Sequence, residues 1–175
     1  MAAGAASWSF TEDDFQAITG SLQRFLYESN SRCALLVDRA GQLVATIGEA
    51  PAFDATAFAS LTAADFSAND QLARLIGERD FTTLFHQGER ESMFLADVAR
   101  RIILVVLFDN RATLGLVKLK LKGVVDELSR VFEGVFARAT APGAAPHTGG
   151  LARSLGVAPA DLLAGAEDEI DRLFS

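Results

Sequence analysis

Three side chains have the chemistry of a general base, a nucleophile or a soft metal ligand: His86, His147 and Cys33. Their positions suit none of these tasks. His86 lies in an alternating, strand-like run, His147 lies among prolines and glycines, and no Cys or His stands at metal-ligand spacing from another. Cys33 opens the apolar run Cys33-Ala34-Leu35-Leu36-Val37 and reads as core. The carboxylates of Asp13, Asp14, Asp38 and Asp97 fall where helix caps, turns and strand ends use them. The sequence has no GxxxxGKS/T phosphate loop, GxGxxG fingerprint or GxSxG elbow. It therefore predicts a binding or regulatory module, with no catalytic residue, cofactor or metal of its own.

Charge and composition narrow the partner. The net charge of −7 argues against a nucleic-acid backbone, which recruits clustered Lys and Arg. A protein or small ligand fits better. Arg111, Lys118 and Lys122 share one face in a helical reading, where a solvated basic stripe is the default over a docking surface. Residues 1–9 lack the basic start and apolar stretch of a secretion signal. The run Ile102 to Phe108 is too short to span a bilayer. With a lone cysteine that cannot form an internal disulfide, the expected location is the reducing cytoplasm, without a membrane span.

The elements that must position a binding surface are legible from periodicity. Half the residues are hydrophobic and thirteen are Phe, enough for one well-filled core. Phe15, Ile18, Leu22, Phe25 and Leu26 lie on one face of a helix starting near Thr11, with Glu12, Asp13 and Asp14 favouring its positive end. The runs 33–37 and 43–48, joined by Asp38-Arg39-Ala40-Gly41, form a hairpin. A second helix is expected from an Asp54 cap to Gly77, and a second hairpin pairs 80–87 with 91–99. Arg101 to Phe108 has the unbroken apolar pattern of a central strand.

Val117 to Lys122 alternates like a strand. Leu114, Val117, Leu121, Val125, Leu128, Phe132 and Val135 nevertheless keep a longer helical stripe, which predicts one helix over 113–138. The order is αββαβββα. Domain boundaries follow: a tail at 1–10, the domain at 11–138, a Pro- and Gly-bearing linker at 139–158 and a short amphipathic helix at 159–175. That last helix would carry Leu163, Ala166, Ile170, Leu173 and Phe174 on one face, marginal without a groove to fill.

The second helix carries two apolar faces. Phe58, Leu61, Ala68, Leu72, Leu75 and Ile76 are assigned to the core stripe, and Ser60, Ala64, Ser67 and Gln71 to a narrow strip of mostly small residues. Phe66, with Ala59, Ala63 and Ala73, then falls on the solvent side. Apolar residues most of the way round a helix imply a second covering surface, a self-contact being favoured over simple Ala enrichment for helix propensity.

The element order resembles the Roadblock/LC7 family. So do Leu35-Leu36-Val37-Asp38-Arg39-Ala40-Gly41-Gln42-Leu43 in the first hairpin and Phe108-Asp109-Asn110-Arg111-Ala112-Thr113-Leu114-Gly115-Leu116-Val117-Lys118-Leu119-Lys120 before and within the last helix. Leu61-Thr62-Ala63, Leu72 to Glu78, Phe85-His86-Gln87-Gly88 and Asp168 to Ser175 bring it nearest the bacterial polarity regulators of that family. The resemblance covers residues 10–138 and the last nine.

The resemblance implies an α/β (α+β) fold, a five-stranded, mainly antiparallel sheet between helices that continues across a homodimer. It also implies a partner, a Ras-like bacterial small GTPase of the MglA type. The implied role is activation of that GTPase in polarity or motility control, in the cytoplasm or at a cell pole, with other polarity proteins as further partners. The partner's own arginine and glutamine would do the chemistry. Carried onto this sequence, the partner-binding residues are Ala63, Phe66, Ser67, Asp70, Gln71, Arg74, Ile170, Leu173 and Phe174. The dimer residues are Ser60, Ala64, Phe81, Thr83 and Phe85. Ser67 and Gln71 depart from the Ala or Gly usual at their positions, and the linker is longer than the pattern expects. A non-activating scaffold and a small-ligand sensor are the competing expectations, the second because similar folds can enclose a pocket.

Overall fold

The computed structural model describes residues 8–141. Residues 142–158 of the expected linker and the expected C-terminal helix, with His147, Ile170, Leu173 and Phe174, lie outside these residues, and Ala139, placed in the linker from sequence, ends the last helix. Helix α1 spans Glu12–Ser29 and starts at a reciprocal cap: the Thr11 hydroxyl accepts the Asp14 N–H at 3.2 Å, while Asp14 Oδ2 accepts the Thr11 N–H at 2.8 Å. Asn30, with φ of 54°, ends it. Strands β1 (Cys33–Asp38) and β2 (Leu43–Gly48) follow, their turn held by the Asp38 carboxylate, which accepts the N–H of Ala40 at 2.9 Å and of Gln42 at 2.8 Å.

Asp54 caps helix α2 (Ala55–Leu75) by accepting the N–H groups of Thr56 and Ala57. Its C-terminus closes in a Schellman motif. Gly77, at φ +85°, donates to the Arg74 carbonyl at 3.2 Å, and Glu78 donates to the Ala73 carbonyl at 2.9 Å. Strands β3 (Thr83–Gln87), β4 (Glu91–Val98) and β5 (Ile102–Asp109) lead into helix α3 (Leu114–Ala139), capped by Thr113. The helical stripe thus wins over the period-two pattern of residues 117–122: Val117 and Leu121 are buried, while Leu119 is exposed.

The sheet order is β2-β1-β5-β4-β3 and every pair is antiparallel. β5 is the central strand, as its unbroken apolar run requires. Alternation sends Ala34, Leu36, Leu104 and Val106 to the face covered by α1 and α3. It sends Leu35, Val37, Ile103 and Val105 to the face covered by α2. Trp8 and Phe10, assigned from sequence to a tail, pack their rings against Phe136 and Phe132 at 4.5 and 5.9 Å. Among the described residues no helix is long and apolar enough to cross a membrane.

Sequence assignments in α1 and α2 need correction. Phe15 lies on the predicted face of α1 but is 45% exposed, while its neighbour Asp14 pairs with Arg138 of α3. The larger correction concerns α2, which is rotated from the predicted phase. Ala59, Thr62, Ala63, Phe66, Asn69 and Ala73 face the sheet, and Phe66 is fully buried. Leu61, Leu72, Leu75 and Ile76 are 58–82% exposed. Small residues at 59 and 63 let the helix lie close to the sheet, and Phe66 fills the space beside them.

Candidate docking surface

The outer face of α2 is an apolar stripe. Leu61, Ala64, Ala68, Leu72 and Leu75 recur at helical spacing with Ser60, Ser67 and Gln71 beside them, all exposed, and Ile76 extends the stripe past the C-terminus. Leucines exposed in a row are costly to leave in water and mark an interaction surface. Small residues in its middle allow another backbone to approach closely.

An open sheet edge lies alongside. His86 Nε2 on β3 sits 2.7 Å from Asp65 Oδ2 on α2, fixing the helix over the edge strand. The Asp97 N–H bonds the Thr82 carbonyl at 2.9 Å. Antiparallel alternation from that pair commits Leu84 and His86 to β4 and turns the backbone groups of Thr83, Phe85 and Gln87 outward. β3 carries no Lys, Arg, Asp, Glu or Pro between Thr83 and Gln87, so none of these residues guards the edge against a further strand.

Asp70 is half-buried on α2 and accepts from Arg39 at 2.6 Å, and the other sequence-predicted site residues among those described fall into three groups. Ser60, Ala64, Ser67, Gln71, Arg74 and Thr83 are exposed on α2 or the edge strand. Phe81 is half-buried, and Phe85 turns its ring away from α2 to lie 5.9 Å from the Phe94 ring and 6.2 Å from that of Phe108. Its backbone, not its side chain, is offered at the edge. Ala63 and Phe66 face the core and cannot touch a partner, because the helix phase places them under α2. Leu61, Ala68, Leu72, Leu75 and Ile76 belong to the surface but read as core from sequence, because both faces of α2 mix small, apolar and polar residues and periodicity alone does not separate them.

At the end of α2 a cleft of about 380 Å³ is lined by Arg39, Asp70, Arg74, Arg79, Asp80, Asp97 and Arg100, among others. Arg39 Nη1 donates to Asp70 Oδ2 at 2.6 Å, Nη2 donates to Asp97, and the guanidinium covers the Phe66 ring. Burial pushes the Arg39 pKa down, but its bonds to Asp97 and Asp70 outweigh this and hold it above its ordinary value. At the other end of the sheet Arg111 is tied to Asp109 at 3.0 Å and Glu49 at 3.1 Å. It stands in the turn before α3, so it does not share a helical face with Lys118 and Lys122. Among the described residues no group of three or more His, Cys, Asp and Glu is placed to hold a metal ion.

The described residues form a three-layer domain with one exposed apolar helix beside an open sheet edge. Residues 21–108 match the Roadblock/LC7 domain model, and the chain belongs to that family. Among solved structures it is similar to Myxococcus xanthus MglB, with 42% identity and a TM-score of 0.66 over 69% of this chain and 98% of that one. It is also similar to the gliding protein MglB of Thermus thermophilus, with 33% identity and a TM-score of 0.68 over 73% of this chain and 97% of that one. An MglB solved in a tetrameric arrangement is 32% identical, with a TM-score of 0.69 over 74% of this chain and 97% of that one. Comparison with curated proteins gives no match.

Proposed function

We propose that the chain is a homodimeric regulator of a Ras-like small GTPase of the MglA type, and that it accelerates GTP hydrolysis without contributing a reacting group. The observation that carries this reading is the exposed stripe of Leu61, Ala64, Ala68, Leu72 and Leu75 beside the unguarded edge of β3. Pairing of two β3 edges about a two-fold axis would join two five-stranded sheets and bring two copies of α2 side by side. The joined helices would offer one continuous platform to the GTPase. Ser60, Ala64, Phe81, Thr83 and Phe85 are the dimer residues of this proposal, and Ser67, Asp70, Gln71 and Arg74 its partner-facing ones. Similarity to proteins named MglB, one of them a gliding protein, supports a role in polarity or motility control, in the cytoplasm.

Such a regulator needs no chemistry of its own. Phosphoryl transfer depends on positioning and charge stabilisation, and completing the arrangement is worth about 10³ to 10⁵ in rate. The dimer has only to bind the hydrolysis-competent conformation of the GTPase better than the others. The segment 159–175, with Ile170, Leu173 and Phe174, is assigned a separate contact that modulates nucleotide exchange. The second reading is a scaffold that holds the GTPase without stimulating it. Phosphate release by a candidate Ras-like GTPase, with and without the full chain, separates the two: acceleration supports activation, and binding at the basal rate supports the scaffold. Absence of any binding across candidate GTPases would defeat both.

A further inference from the structure

We propose that the cleft at the end of α2 is a carboxylate-binding site, and that its occupant is the acidic segment of the same chain, residues 161–171. The cleft and its charge carry this independently of any GTPase. Arg39 is held by Asp70 and Asp97, and Arg100 Nη1 donates to Asp80 at 3.2 Å. Arg74 and Arg79 also line the cleft, and neither makes an ion pair among the described residues. Two uncommitted guanidinium groups therefore face one concavity in a chain whose net charge is −7. Guanidinium groups take carboxylates in paired hydrogen bonds, which makes this the natural ligand.

Three features select the occupant. Residues 161–171 carry Asp161, Glu167, Asp168, Glu169 and Asp171, a concentration of carboxylates with no basic residue among them. The chain also leaves the described fold at the right end of the sheet. Arg101 places its guanidinium 4.9 Å from the Phe136 ring in the last turns of α3, while the adjacent Arg100 lines the cleft. From Ala141 to Asp161 the chain can reach up to about 65 Å, ample to round that end of the domain. Tethering presents a segment at an effective concentration on the order of millimolar, so ion pairs too weak to capture a free peptide suffice. Apolar complementarity adds to charge: Leu75 and Ile76 are exposed beside Arg74, and Ile170 lies within the acidic run. A segment seated here would cover Asp70 and Arg74, masking one end of the proposed platform.

The test uses the full chain, labelled for NMR, and compares the amide signals of residues 161–171 with those of an Arg74→Ala/Arg79→Ala variant. At low salt the signals are expected to differ between the two proteins. In 1 M NaCl, where the screening length falls to about 3 Å, the difference should collapse. Identical signals for 161–171 in both proteins at low salt would overturn the proposal. So would signals that change on dilution of the native chain, since that places the segment on a second copy. Core amides of β5 report folding, and if the double variant disturbs them, Arg79→Gln alone, at an exposed position outside any element, gives the same comparison.

Discussion

The guanidinium carbon of Arg39 lies 4.7 Å from the centre of the Phe66 ring, so a residue of the first hairpin turn closes over the largest side chain that α2 sends into the core. Phe66→Ala is expected to cost about 3–5 kcal/mol of stability, the usual penalty for emptying a buried aromatic site. Phe66→Asp should leave no folded protein to assay. Urea denaturation measures the first and circular dichroism the second. A Phe66→Asp chain with native ellipticity and only its partner lost would mean that α2 has been placed in the wrong phase.

The outer face should behave oppositely. Leu72→Asp and Ala64→Arg change exposed positions, so stability should stay within about 0.5 kcal/mol of the parent. Assembly and GTPase capture should both fail. Sedimentation at micromolar concentration reads the first, and retention of a GTPase on the immobilised protein reads the second. Unchanged sedimentation and unchanged capture in both variants would remove α2 from the interface.

These paired expectations show where periodicity stops being informative. The element order, both hairpins, the central β5 and the single long α3 follow from sequence because each has one apolar pattern and one place for it. α2 has two. Leu61, Leu72 and Leu75 outweigh Ala59, Ala63 and Ala73 on any hydropathy scale, yet the alanines face the sheet, because a helix lying close to a sheet needs small contacts more than it needs area. Surface built for another copy or partner is as apolar as core, and a lone sequence does not say which of the two faces is covered by its own chain.

Asp14 gives a prediction in pH. Burial works against its charge, but hydrogen bonds from the Thr11 backbone and hydroxyl and from Arg138 prevail and hold its carboxyl below its ordinary value. A carboxyl depressed by folding contributes stability above its unfolded pKa and loses it as pH falls through the folded one. Asp14→Asn should therefore lower Tm at pH 7, and the gap from the parent should narrow below about pH 4. A Tm difference that stays constant from about pH 7 to about pH 2.5 would dissociate the cap from the charge.

Arg111 bears on whether a residue is lent to the GTPase. Its guanidinium is tied to Asp109 and Glu49, whose carboxylates raise its pKa, and a group so engaged has to break both contacts before reaching another active centre. Arg111→Ala should retain full stimulation of phosphate release. A loss of several hundred-fold on that substitution alone would instead identify an arginine supplied in trans.

The position of β5 between β1 and β4 has a consequence for biosynthesis. β1 is apolar and wholly buried in the finished domain, yet one of its two neighbours is β5, made only after the second hairpin has been translated. At roughly 5–20 residues per second, the ribosome leaves the first hairpin waiting for several seconds with that side unpaired. Nascent chains stalled before Ile102 should accordingly be the ones that recruit chaperones, and completion of β5 and then of α3, which covers one face of the sheet, should dismiss them.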